Sequence, residues 1–88
     1  MNDVNTLPTS TLIIVEFFRQ QEGRKVWYFG SLAAIYELFT PDQIGCTYGS
    51  LRVNAPDYGE YKITKQCVIY KEKMYRKAQK IKRNDVSL

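Results

Sequence analysis

The 88-residue chain contains no histidine and only two cysteines, Cys46 and Cys67. Without an imidazole, a serine or cysteine nucleophile lacks its usual general base, the one side chain whose unperturbed pKa lies near neutrality. The same shortage excludes a tetrahedral zinc site built from Cys and His, which needs four donors. The first ten residues, MNDVNTLPTS, lack the basic region and apolar core of a secretory signal. The sparse cysteine pair is therefore read as two reduced thiols with the burial tendency of free cysteine, and not as a disulfide. Long apolar runs are missing too: Leu12-Ile13-Ile14-Val15 is interrupted at once by Glu16, so no membrane span is expected. The expected location is the cytoplasm.

Catalytic arrangements are equally scarce. The acids are scattered, with Glu37 and Asp42 flanking a helix end and Asp57 and Glu60 flanking a turn, a pattern of solvated surface carboxylates. Gly45 and Gly49 are not followed by Gly-Lys-Ser/Thr, so a phosphate loop is not supported. The sequence carries no enzyme signature, and no cofactor, metal or small-molecule substrate is expected.

What is present is enough apolar and aromatic material, 44% and 14% of residues, for one small folded domain. The expected organisation is a flexible leader over residues 1–10, a single domain over 11–83 and a short tail over 84–88. Net charge is +4, unevenly spread. Residues 1–61 hold Arg19, Arg24, Lys25 and Arg52 against seven acids, whereas residues 62–83 hold nine basic side chains against Glu72 alone. Such a patch favours polyanions, nucleic acid first and anionic lipid second, and its competing reading is a solvated tail that aids solubility.

The segment Thr11–Phe18 is short and rich in β-branched and aromatic residues, which predicts a strand. A polar stretch with Gly23 separates it from the aromatic run Val26–Phe29, and the pair reads as a β-hairpin. The alternation of Trp27 and Phe29 puts both on one face, expected to be core. Ser31 stands where a helix cap belongs, and Leu32, Ile35, Leu38 and Phe39 recur at helical spacing, so a helix is predicted over 31–40, ended by Pro41. A second short helix is predicted over 46–52, with Thr47 near its start. The run 54–59 is dense in turn formers and predicts an exposed loop. Residues 66–71 have strand composition, while 73–83 fit either a second hairpin strand or a basic helix. The fold class expected is α+β: an N-terminal β-hairpin, two central helices, and a C-terminal basic strand or hairpin.

The run Ser31-Leu-Ala-Ala-Ile-Tyr-Glu-Leu-Phe, followed by Ile44-Gly45-Cys46-Thr47-Tyr48-Gly49-Ser50-Leu51-Arg52, resembles the helix-turn-helix of winged DNA-binding modules. These include the modules appended to homing nucleases and the excisionase-like proteins of phages and mobile elements. The resemblance covers about twenty-two residues and implies that Thr47, Tyr48, Ser50 and Arg52 face the major groove while Ile44 and Leu51 anchor the core. It also implies a basic β-hairpin over 66–77 as the wing. Phe39-Thr40-Pro41-Asp42-Gln43 makes the turn longer than the family's usual few residues. With Lys62, Lys65, Lys71, Lys73, Arg76 and Lys77 as phosphate contacts, the expected partner is duplex DNA and the expected role regulation or recombination on a mobile element.

Two rival readings stand beside it. Tyr58, Tyr61, Tyr70 and Tyr75 interleave with lysines in the manner of a single-strand binding surface, or else pack with their hydroxyls at the rim. A protein-interaction or homodimer module needs no nucleic acid, and its discriminating sign is an exposed apolar patch larger than a monomer usually shows. Membrane-surface association fits poorly, because residues 71–83 carry few apolar side chains.

Overall fold

The computed structural model describes residues 9–75. Among these, the elements in chain order are β1 (Thr9–Gln21), β2 (Arg24–Phe29), α1 (Leu32–Leu38), α2 (Pro41–Ile44), α3 (Tyr48–Val53), β3 (Tyr61–Ile63) and β4 (Cys67–Tyr75). The four strands form one antiparallel sheet of order β2-β1-β4-β3. The two hairpins thus lie side by side, joined at the centre by the long β1–β4 ladder, and the helices pack on one face. The class is α+β, as expected, but the sheet dominates it.

The expected N-terminal hairpin is present and longer than composition indicates. Gln21 pairs with Arg24, so the loop is Glu22-Gly23 alone, with φ of 52° and 80°. Two successive positive φ values are the signature of the type I′ turn, whose twist matches that of the flanking strands. The polar residues Arg19 to Gln21 and Arg24 to Lys25 therefore belong to strands, and a register irregularity between Glu16 and Gln21 accommodates them. Thr9 and Ser10, expected in the leader, begin β1.

Two further corrections concern the helices. The helix predicted over 31–40 covers Leu32–Leu38, with the Ser31 hydroxyl accepting from the Ala34 amide at 3.2 Å. At Phe39 the backbone is already extended, so the helical period stops there. As a result Leu38, expected on the apolar face, is exposed, and Phe39 turns inward instead. Pro41 ends no helix; it opens α2, where the sequence predicts only a lengthened connection. Proline suits the first helical turn because its missing N–H would have had no partner there. There are thus three helices among the described residues, not two. At the C-terminal side, the hairpin expected over 66–77 is not formed there: Cys67–Tyr75 is one continuous strand, its hairpin partner is β3, which the sequence does not predict, and residues 73–75 continue β4 instead of forming a second strand or a helix. The rest of the 73–83 segment lies outside the described residues.

The core lies between the sheet and the helices. Ile13, Val15 and Phe17 of β1 alternate inward and meet Cys67 and Ile69 of β4, while Ile35, Phe39, Ile44 and Leu51 close it from the helical side. Phe39 is a hub: its ring stands edge-on to Phe17 at 5.0 Å, Trp27 at 5.1 Å and Phe29 at 6.3 Å. Trp27 and Phe29 are half-buried against the core, in keeping with their alternation. Among the described residues no polar or charged side chain is buried. Both cysteines are free thiols, Cys67 buried and Cys46 half-buried.

Candidate nucleic-acid interface

The α2–α3 corner is locked to the β3–β4 turn by a glycine and a threonine. α2 begins with a reciprocal cap in which Thr40 and Gln43 exchange side-chain and backbone bonds at 2.8 and 3.2 Å. It ends at Gly45, whose φ of 98° is the left-handed conformation glycine adopts without strain. A Cβ there would stand 2.8 Å from the Thr64 hydroxyl oxygen. That hydroxyl donates to the Ile44 carbonyl at 2.6 Å and accepts from the Gln66 and Cys67 amides at 3.0 Å each. The Cys67 thiol also donates to the Ile44 carbonyl, at 3.3 Å, and burial pushes its pKa above the ordinary thiol value. The clasp brings Lys65 and Thr47 to one open cleft of about 420 Å³, which Asp42, Cys46 and Gln66 also line.

From this corner α3 projects its outer side to solvent. Thr47, Ser50 and Arg52 are exposed, and Leu51 turns fully inward. The Thr47 hydroxyl accepts from the Ser50 amide at 3.1 Å, so it caps the helix. Tyr48 is half-buried: its ring lies 5.7 Å from Tyr36, and the Arg52 guanidinium sits 5.5 Å above it. Tyr36 in turn donates to the Cys46 carbonyl at 2.8 Å. Burial first, then the hydrogen bond and the nearby Cys46 and Cys67 thiols, hold its hydroxyl well above the ordinary tyrosine range. Tyr36 and Tyr48 therefore brace α3, and its free polar groups are Ser50 and Arg52.

The remaining lysines gather elsewhere. Lys71 and Lys73 point to the helix side of β4, and their ammonium groups lie 4.5 and 5.2 Å from the centre of a single ring, that of Tyr58. Two cations beside one ring are each attracted to it while repelling one another. Tyr58 is fixed by a 2.7 Å hydroxyl contact with Thr11. Lys62, opposite Ile69 on the same face, is diagonal to Lys71. The two neighbouring carboxylates face backbone: Asp57 accepts from the Tyr58 amide at 2.8 Å and Glu60 from the Asp57 amide at 3.0 Å. Arg76 and Lys77 lie outside the described residues.

The ten residues predicted from sequence thus fall into two groups with an undescribed extension. One is Lys65 with Thr47, Tyr48, Ser50 and Arg52 around α3; the other is Lys62, Lys71 and Lys73 around Tyr58. The four interleaved tyrosines do not share one surface. Tyr61 and Tyr70 pair on the opposite face of the sheet, with rings 6.0 Å apart, while Tyr58 stays with the lysines. Thr11 gave no signal in the sequence, because its partner is 47 residues away. Comparison with known proteins finds no matching family model, no matching curated protein and no matching solved structure.

Proposed function

We propose that the protein binds duplex DNA, with Ser50 and Arg52 of α3 and Lys65 of the β3–β4 turn on one contact and Lys62, Lys71 and Lys73 on the other. The observation that carries this reading is the convergence of Lys71 and Lys73 on Tyr58. Like charges held this close lower their energy by taking up a polyanion, and phosphate contacts by lysine supply most non-specific affinity for DNA. The described part of the chain, residues 9–75, is nearly neutral: Arg19, Arg24, Lys25, Arg52, Lys62, Lys65, Lys71 and Lys73 stand against Glu16, Glu22, Glu37, Asp42, Asp57, Glu60 and Glu72. The positive excess is carried by Arg76, Lys77, Lys80, Lys82 and Arg83, which continue from the lysine-bearing end of β4. A regulatory or recombination role on a mobile element suits a module of this size.

The test is fluorescence anisotropy of a labelled duplex of random sequence at two salt concentrations. Micromolar binding that weakens steeply with salt is the expected result, and Lys71→Ala with Lys73→Ala reduces it with the fold intact. Absence of binding at low salt, where charge interactions are least screened, overturns the proposal. A second reading, protein interaction, is favoured by a separate observation: the sheet face turned away from the helices exposes Tyr28, Tyr61 and Ile63, each 60% accessible.

A further inference from the structure

An antiparallel sheet with one covered face ordinarily alternates apolar inside with polar outside. Here the alternation fails. One cross-strand row of the face that no described element covers runs Tyr28–Ile14–Tyr70–Tyr61 through all four strands. The next runs Val26–Glu16–Val68–Ile63. With strands spaced ~4.8 Å apart, each row spans roughly 14 Å, and the two together make a continuous apolar and aromatic surface. Leu12 and Met74 extend it toward the far end of the β1–β4 ladder, opposite Glu72 and Ser10.

Charge on this face is as informative as its apolar character. Among the described residues, the charged side chains at the paired positions of these rows and their extension are Glu16 and Glu72, both carboxylates; Arg24, paired with Gln21 at the hairpin end of β2, is engaged by the Trp27 ring, with its guanidinium 4.2 Å from the ring centre. Glu16 is tied loosely to its surroundings, with the Tyr70 hydroxyl donating to it at 3.5 Å. The basic side chains of β3 and β4, Lys62, Lys71 and Lys73, alternate to the other face. A chain with net charge +4 therefore presents one face that is apolar and negative.

That combination selects among occupants. A single nucleic-acid strand would find rings on which to stack, but its phosphates would meet the carboxylates of Glu16 and Glu72, while Arg24 at the hairpin end is already engaged by Trp27. A second copy packed face to face would bring the Glu16 and Glu72 pairs of both copies into one dry interface, and unpaired buried charge is costly. A protein segment carrying both apolar and basic side chains satisfies both properties: its apolar residues cover the rows, and its lysines or arginines neutralise Glu16 and Glu72.

We propose that the uncovered face of the sheet, centred on the Tyr28–Ile14–Tyr70–Tyr61 row and bounded by Glu16 and Glu72, is a docking surface for a basic, apolar segment of a partner protein. The proposal deepens the protein-interaction reading and stands independently of DNA binding, which uses the opposite side. Its test is selection of a phage-displayed library of random dodecapeptides on the immobilised full chain. Non-specific attraction to a net positive protein would enrich acidic peptides. The expected outcome is the reverse: enriched peptides combine lysine or arginine with apolar residues. Made synthetically, such a peptide binds the wild type and loses roughly tenfold in affinity with Glu16→Gln and Glu72→Gln together, because the charge partners are gone. The exposed-site double variant Tyr28→Ser and Ile63→Ser abolishes its binding, and duplex DNA binding is unchanged in both variants. Circular dichroism checks that both remain folded. Failure to enrich any peptide, enrichment of acidic or uncharged ones, or binding indifferent to these substitutions overturns the proposal. So does dimerisation, or oligo(dT) binding, that Tyr28→Ser with Ile63→Ser removes, since the face would then belong to a second copy or to a nucleic-acid strand.

Discussion

On the helix side of the sheet, Ile13, Val15, Phe17, Cys67 and Ile69 are sealed to within 1% of full burial; on the other side their chain neighbours Ile14, Glu16, Val68 and Tyr70 are only half-buried. Both faces come from the same two central strands and from similar residue types. The difference lies in what reaches them: three short helices deliver Ile35, Phe39, Ile44 and Leu51 to one face, and no described element covers the other. Apolar composition in a strand therefore marks a surface able to be covered, and the cover has to come from elsewhere in the chain or from a partner.

That contrast is open to direct attack, most strongly in the core. Phe17→Ala removes a ring that packs on Phe39, and at about 3–5 kcal/mol it approaches the whole stability of a domain this small. Urea denaturation of the variant is expected to show an unfolded or barely folded chain. An equal loss from Ile14→Ala on the uncovered face would erase the distinction between the two sides.

Next comes the clasp that holds the helical layer in place. Gly45→Ala forces a side chain into positive φ and against Thr64, at a cost of about 2 kcal/mol or more, whereas Gly23→Ala, with open space around it, pays only the conformational cost of about 1 kcal/mol. Thermal melts of the two variants separate these contributions, and equal shifts would remove the argument for a tight corner.

The same layer responds to alkali. Cys67 and Tyr36 both have pKa values raised above their unfolded values of 9.0 and 10.0. The folded state then keeps protons that the unfolded chain releases, so this stabilisation is complete below pH 9 and is lost as pH rises through and beyond the unfolded values. The urea midpoint is expected to fall above pH 9, and Tyr36→Phe to flatten the upper part of the fall. A midpoint constant to pH 11 contradicts the burial of these groups.

The smallest effects belong to the exposed positions. Glu22→Asn, at φ 52°, is expected to stabilise by a few tenths of a kcal/mol, since asparagine accepts this turn conformation more readily. Ile63→Thr on the uncovered face should stay within about 0.5 kcal/mol of wild type in a denaturation curve. A large loss there would mean that the face is already covered in the isolated protein.

Much of the architecture was legible in residue order. The hairpin announced itself by β-branched and aromatic runs around Gly23, α1 by Ser31 and the spacing of Leu32 and Ile35, and the loop by Asn54 to Gly59. α2 was not, because four residues are too few to show a helical period, and only the Thr40–Gln43 cap identifies it afterwards. β3 was equally hidden: Tyr61-Lys62-Ile63 is a strand because β4 lies beside it. Of the candidate site, the lysines and the polar side of α3 were visible as residue types. Their division into two groups, and the assignment of Tyr58 to one face and Tyr61 and Tyr70 to the other, depended on strand parity across a ladder.

Residue order alone was enough for the α+β class and for the charge asymmetry, with its basic C-terminal quarter. These properties follow from local preference and composition, which each residue carries regardless of its neighbours. Only the tertiary structure decided which apolar residues are sealed, that Thr11, Tyr58, Lys71 and Lys73 meet, and that Glu16 and Glu72 share an apolar face. Those facts depend on contacts between residues as many as 66 positions apart, such as Thr9 and Tyr75 at the end of the β1–β4 ladder. Such contacts are set by register, and a slip of one residue would exchange every side chain between the two faces.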